Sequence, residues 1–173
     1  MADIQWPWQY NFPPFFTIQP NAETRKKQLE AWRSLILSYF KQTNQHLLDL
    51  SNISNLSLFN NSSISRSLNR EDALVILEYL AKTENAEPID KNRNRWYILW
   101  HSKQEWADII MNWVQKNGYN NAVVTFHELQ TMPNQEFTDL HEDILIMGLK
   151  QLERQNKAEI ISMGDTAGVK FFD

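Results

Sequence analysis

Apolar residues recur at three- and four-residue steps in four stretches of the chain, with polar residues between them. This is the spacing of an amphipathic helix with one buried face. The pattern predicts helices at residues 24–42, 70–83, 103–117 and 139–156. Asn69 and Ser102 stand where residues that cap a helix start are expected, and Gly118 stands where a terminating glycine is expected.

Two β-prone runs joined by a polar turn follow the second predicted helix, and the same arrangement follows the fourth. Such pairs predict β-hairpins, here at residues 86–100 and 158–172. The remaining short elements are predicted as a strand at 56–59, a helix from Asn60 to about Leu68, a strand at 122–125 and a helix at 126–130.

The two halves of the chain share this order of elements, and residues match between them at a constant offset of 72 (158 − 86 = 72). The matched residues are Leu77, Leu80, Ala86, Glu87 and Ile89 with Leu149, Leu152, Ala158, Glu159 and Ile161. A repeat of helices closed by a β-hairpin is the winged variant of the helix-turn-helix plan. We therefore expect an α+β, mainly α, fold with two tandem winged-helix domains at 23–101 and 102–173.

Residues 1–22 precede the first domain and contain the densest aromatic cluster of the chain, in the stretch WPWQYNFPPFF. Its prolines disfavour an α-helix, so we expect an extended arm with a polyproline II segment. The arm has two interpretations: it folds back as a hydrophobic brace, or it presents its aromatic rings to another protein. The candidate protein-binding residues are Trp6, Pro7, Trp8, Tyr10, Phe12, Pro13, Pro14, Phe15 and Phe16.

Charge argues against nucleic acid as the main partner, although winged helices often bind DNA. The chain of 173 residues has a net charge of −4, and the predicted helix REDALVILEYLAKTE is more acidic than basic. Phosphate contacts require Lys and Arg on one face. The basic cluster at 91–95 is either a solvated turn or a contact for an anionic partner. A nucleic-acid-binding regulator stays as the alternative function.

No motif in the sequence predicts catalysis, a cofactor or a metal site. The chain has no cysteine and no apolar run of transmembrane length, and its N-terminus lacks the pattern of a signal peptide. None of the histidines, which are His46, His101, His127 and His141, completes an H-E-x-x-H motif. The segment at 164–168 lacks the spacing of a phosphate-binding loop and is expected to be a glycine turn.

Five sequence features together resemble the family of the smallest subunit of ESCRT-II, in the endosomal sorting machinery. They are the stretch WPWQYNFPPFF, then QLEAW, LFNN, the EW of the second half and the closing GVKFF. The resemblance covers essentially the whole chain, but residues 43–57 match no motif. It implies tandem winged helices and a non-catalytic scaffold in the cytoplasm that is recruited to the endosomal membrane.

The resemblance also implies specific partners. Two copies of the chain would join one copy each of two larger ESCRT-II subunits, docking through Pro13, Pro14, Phe15 and Phe16. The second domain would recruit the ESCRT-III subunit that initiates filament assembly, and ubiquitinated membrane proteins would then be sorted into multivesicular bodies.

Overall fold

The computed structural model describes residues 4–172. Residues 1–3 of the predicted arm and residue 173 of the predicted second domain lie outside the described residues. The chain divides into two compact units between Trp100 and His101. The fold is α+β and mainly α, as predicted. Residues 4–21, which lie in the predicted separate arm, belong to the first unit.

Between residues 4 and 100, the first unit contains two α-helices and five short strands, with 3-10 turns between them. They are α1 (Ala22–Gln42), β1 (Leu47–Asp49), β2 (Asn60–Asn61), β3 (Arg66–Ser67), α2 (Arg70–Lys82), β4 (Ala86–Pro88) and β5 (Arg95–Ile98). Asn21 caps α1 by accepting hydrogen bonds from the backbone N–H groups of Glu23 and Thr24.

The described part of the second unit, residues 101–172, contains three α-helices and three strands. They are α3 (Lys103–Asn117), β6 (Val123–Thr125), α4 (Phe126–Thr131), α5 (Glu142–Arg154), β7 (Ala158–Met163) and β8 (Thr166–Phe171). Ser102 and Glu105 form a capping box at the start of α3, and Gly118 ends this helix with a φ of 73°. The predicted caps of α3 are therefore confirmed.

Both units build a three-stranded antiparallel sheet with the same topology. The strand order is β1-β5-β4 in the first unit and β6-β8-β7 in the second, so the early strand joins the C-terminal strand of the hairpin each time. The registers also correspond, because Leu48 pairs with Trp96 and Val124 pairs with Val169. Helices followed by a hairpin and one added strand form the winged-helix arrangement in each unit.

Two predicted elements of the first unit are wrong. Residues 56–59, predicted as a strand, do not form one, and the strand of this region is β1 at Leu47–Asp49. The short helix predicted from Asn60 is replaced by β2, a 3-10 turn and β3. Asn and Ser side chains here bind nearby backbone groups: Asn60 donates to the Ser54 carbonyl, and Asn61 accepts from the Ser63 N–H. These local bonds compete with helical ones.

Each unit has an apolar core. The largest fully buried side chains in the first unit include Trp32, Phe59 and Trp96, and those in the second include Trp106 and Phe137. Helices α3 and α5 approach closely at Gly148, where a Cβ would lie 3.2 Å from the Cβ of Trp106.

Candidate docking surface

The N-terminal segment is not the extended arm that the sequence predicted. Residues Trp8–Asn11 and Pro13–Phe16 form two successive 3-10 turns. The Tyr10 N–H donates to the Pro7 carbonyl at 3.0 Å, and the Phe15 N–H donates to the Phe12 carbonyl at 2.9 Å. Prolines are tolerated at the first positions of such turns, where their missing N–H would have no intrahelical partner.

Phe15 and Phe16, expected as exposed docking residues, are buried in the core of the first unit at 4% and 3% exposure. Phe15 stacks on Trp32 of α1 with ring centroids 4.2 Å apart, and Phe16 meets the same indole edge-on at 5.6 Å. The expectation that these two rings present free apolar surface is wrong, because α1 supplies an aromatic partner that covers both. The brace interpretation applies to them.

Gln28 of α1 holds the segment in place through its side-chain amide. Its Nε2 donates to the carbonyls of Phe15 at 3.0 Å and Thr17 at 2.8 Å, with a longer bond of 3.3 Å to that of Pro14. Its Oε1 accepts from the Gln19 N–H at 3.0 Å. Sequence reasoning missed Gln28, although a polar residue one turn before Trp32 on the buried face of α1 is a usable signal.

A second anchor fixes the first 3-10 turn. The buried Asn61 donates from Nδ2 to the Tyr10 carbonyl at 2.7 Å, and the Tyr10 hydroxyl donates to the Ser57 carbonyl. Burial, followed by the neighbouring Tyr39, raises the pKa of Tyr10 above its ordinary value. Trp6, which is half-buried, stacks on the Tyr10 ring at 3.9 Å. Tyr10 therefore serves the core and not an outer surface.

Of the predicted protein-binding residues, those that face outward are Trp8, Phe12, Pro13 and Pro14. Trp8 is 70% exposed and Phe12 is 47% exposed, and their rings meet edge to face with centroids 5.6 Å apart. Pro7, between Trp6 and Trp8, is half-buried. Large aromatic side chains held in a fixed conformation on the surface are typical of protein-binding anchors.

A groove of about 410 Å³ lies beside these exposed rings, between the N-terminal segment and α1. Its lining consists of Trp8, Gln9, Phe12, Pro14, Phe15, Gln19, Thr24, Lys27, Gln28 and Ala31. The exposed rings and this groove together form one continuous apolar surface, hereafter the docking surface.

Two of the histidines and the basic hairpin make structural contacts. His101 contacts Glu136 at 2.6 Å, and His141 caps α5 by accepting from the Asp143 N–H. In the hairpin, Arg93 pairs with Glu78 and lies 5.3 Å from the centre of the Trp96 ring. Across residues 4–172, no three His, Cys, Asp or Glu side chains are grouped so that they could hold a metal ion.

Within the same described part of the chain, no helix combines the length and the apolar character needed to cross a bilayer.

Comparison with protein families assigns most of the chain to a known family. The model of the family "ESCRT-II complex subunit" matches residues 9–142. The chain is 48% identical to vacuolar protein-sorting-associated protein 25 of Xenopus laevis, over 98% of this chain and 99% of the relative. It is 43% identical to the protein of the same name from Homo sapiens, over 98% of each chain.

Solved structures agree with these relatives. A crystal structure of subunit VPS25 of the endosomal trafficking complex ESCRT-II superposes with a TM-score of 0.84 at 31% identity, covering 97% of this chain and 99% of that one. A chain in the crystal structure of the ESCRT-II complex of VPS22, VPS25 and VPS36 superposes with a TM-score of 0.80 at 30% identity, covering 95% and 98%.

Proposed function

The chain belongs to the ESCRT-II complex subunit family, and we propose that it is a non-catalytic scaffold subunit that binds the larger subunits of ESCRT-II through the docking surface. The anchors are Trp8, Phe12, Pro13 and Pro14. Phe15 and Phe16 support them from the core beneath. This divides the predicted protein-binding residues between a contact role and a positioning role.

The exposure of Trp8 and Phe12 on a rigid support carries this proposal. Full burial of one such ring contributes roughly 1.5–3 kcal/mol, so the two rings are a major apolar contribution to a subunit contact. Because the segment is already ordered by Gln28 and Asn61, binding does not require a flexible arm to be fixed. A pre-ordered anchor binds more tightly than a flexible one with the same contacts.

We propose the larger subunits as partners because the related complex is described as VPS22, VPS25 and VPS36 together. In this proposal two copies of the chain join one copy of each larger subunit. The complex sorts ubiquitinated membrane proteins into multivesicular bodies, and the chain reaches the endosomal membrane from the cytoplasm through its partners.

The second unit is proposed to recruit the initiating ESCRT-III subunit. One candidate face is a cavity of about 590 Å³ that brings together His127 of α4, Glu142 at the start of α5 and Asp165 of the β7–β8 turn. The acidic start of α5 suits a basic partner segment.

Co-expression with the two larger subunits, followed by gel filtration, tests the docking proposal. We expect the wild-type chain to co-elute at two copies per complex, and the Trp8→Ala/Phe12→Ala variant to elute separately while it stays folded. Leu47→Ala is the matched control, because Leu47 is a 50% exposed residue of the same unit that lies outside the docking surface. Co-elution of the double variant at wild-type stoichiometry would contradict the proposal.

A further inference from the structure

We infer that the groove of the docking surface receives a large apolar side chain from a larger ESCRT-II subunit. An Asp or Glu near that apolar residue in the partner's sequence then places its carboxylate opposite Lys27. The inference rests on the proposed function and adds a reciprocal contact to it: the chain inserts its own anchors and also accepts one.

The groove has the size and walls of a side-chain pocket. Its volume of about 410 Å³ falls within the roughly 300–1,000 Å³ of small-molecule sites, so it holds one or two large side chains. Phe15 and Gln28 are its buried lining residues, while Trp8 and Phe12 stand exposed at its side.

Two of the three glutamine amides that line the groove, those of Gln19 and Gln28, are already used within the unit. Gln28 binds the N-terminal segment through both ends of its amide, and Nε2 of Gln19 donates to the carbonyls of Pro14 at 3.0 Å and Thr17 at 2.8 Å. A polar group inserted beside them would lose its bonds to water and find these amides occupied. The walls therefore favour an apolar occupant.

The charge beside the groove points to an anionic neighbour for that occupant. Lys27 is exposed at the groove, and its ammonium forms no ion pair or hydrogen bond with any residue of the range 4–172. Arg25, by contrast, donates to the carbonyl of Pro20 at 3.1 Å. An unpaired cation next to an apolar groove is complementary to an apolar residue with Asp or Glu nearby in sequence.

The same charge argument disfavours a second copy of this chain as the occupant. The N-terminal segment of another copy offers Trp8 and Phe12 as apolar anchors, but residues 4–22 contain no Asp or Glu. The nearest carboxylates in sequence are Asp3, five residues before Trp8, and Glu23, eleven residues after Phe12, so none stands directly beside either anchor to face Lys27. A different chain, here a larger ESCRT-II subunit, fits better.

A competition experiment tests the charge contact. Wild-type and variant chains are mixed in equal amounts with limiting larger subunits, and mass spectrometry reads their ratio in the assembled complex. We expect Lys27→Glu to compete about five- to thirtyfold less well, since reversal replaces one favourable exposed pair by a repulsion, with a smaller effect at high salt. The matched control is Lys26→Glu, a neighbour that is also exposed but does not line the groove; it should stay within about twofold of wild type at the same salt.

A second pair of variants tests the cavity. Ala31→Trp fills the groove from α1, whereas Gln42→Trp adds the same ring at the exposed far end of that helix. We expect only Ala31→Trp to lose the competition. A photo-crosslinking residue at position 31 should attach to a larger subunit at a segment with an apolar residue beside Asp or Glu.

The outcomes separate the two proposals. If the wild-type chain does not assemble with the larger subunits, the proposed function fails and this inference fails with it. If assembly depends on Trp8 and Phe12 while Lys27→Glu and Ala31→Trp compete like wild type, only the inference is overturned. Crosslinking to another copy of this chain would also overturn it.

Discussion

Exchange of Phe15 or Phe12 for alanine separates the core from the docking surface, because the two rings are three residues apart and chemically identical. Phe15 is 4% exposed and stacked on Trp32, whereas Phe12 is 47% exposed. We expect Phe15→Ala to destabilise the first unit and Phe12→Ala to weaken partner binding with little effect on unfolding.

The structure sets the magnitude. Removal of a fully buried Phe ring costs about 3–5 kcal/mol, from lost burial and the cavity that remains. For a domain of 60–100 residues, each kcal/mol lowers Tm by roughly 4–8 °C, so Phe15→Ala should lower the Tm of the first unit by more than about 10 °C. Phe12→Ala removes a ring that is half in solvent, and we expect a cost below about 1 kcal/mol.

Differential scanning calorimetry of the full chain measures both effects, with circular dichroism to confirm that each variant is folded at the start. The same two variants then enter the assembly assay with the larger subunits. An unchanged Tm for Phe15→Ala together with lost assembly would refute the reasoning, since it would mean that Phe15 leaves the core to serve as the docking residue.

Three further predictions concern other contacts. Gln28→Ala should destabilise the first unit by about 2–4 kcal/mol, because the amide holds several backbone groups, and hydrogen exchange at the Gln19 N–H should accelerate; unchanged exchange would contradict this. Gly148→Ala should lower the stability of the second unit by about 1–3 kcal/mol in urea unfolding despite alanine's better helix propensity, since its Cβ meets the Cβ of Trp106 at 3.2 Å; a more stable variant would disprove the close approach. Hydrogen bonds from the Ser102 backbone and side chain lower the pKa of Glu105 below its ordinary 4.5. Its stabilising contribution is therefore present above that value and lost as pH falls through the lowered one. NMR titration should show a slightly higher Glu105 pKa in Ser102→Ala, which loses the side-chain bond but keeps the larger backbone one; an unchanged value would mean that the Ser102 hydroxyl does not lower this pKa.

Local signals predicted much of the fold. Helical periodicity and caps located all four long helices, and β-prone runs located both hairpins, because these features depend on neighbours within a few residues. The strand at Leu47–Asp49 escaped prediction because its state depends on pairing with β5, about half the unit away in sequence. The Asn- and Ser-rich residues that follow this strand show no hydrophobic periodicity from which an element could be predicted.

By itself, the sequence determined two tandem units of helices and hairpins, a family resemblance, and an N-terminal segment rich in anchors. Only the tertiary structure decided which anchors face outward. In a proline-rich segment of 3-10 turns, neither the period of an α-helix nor that of a β-strand predicts which side chains are buried and which are exposed. The decision instead comes from α1, where Gln28 and Trp32 bind the Phe15 carbonyl from 13 and 17 residues away. Those contacts bury Phe15 and Phe16 and leave Trp8 and Phe12 in solvent.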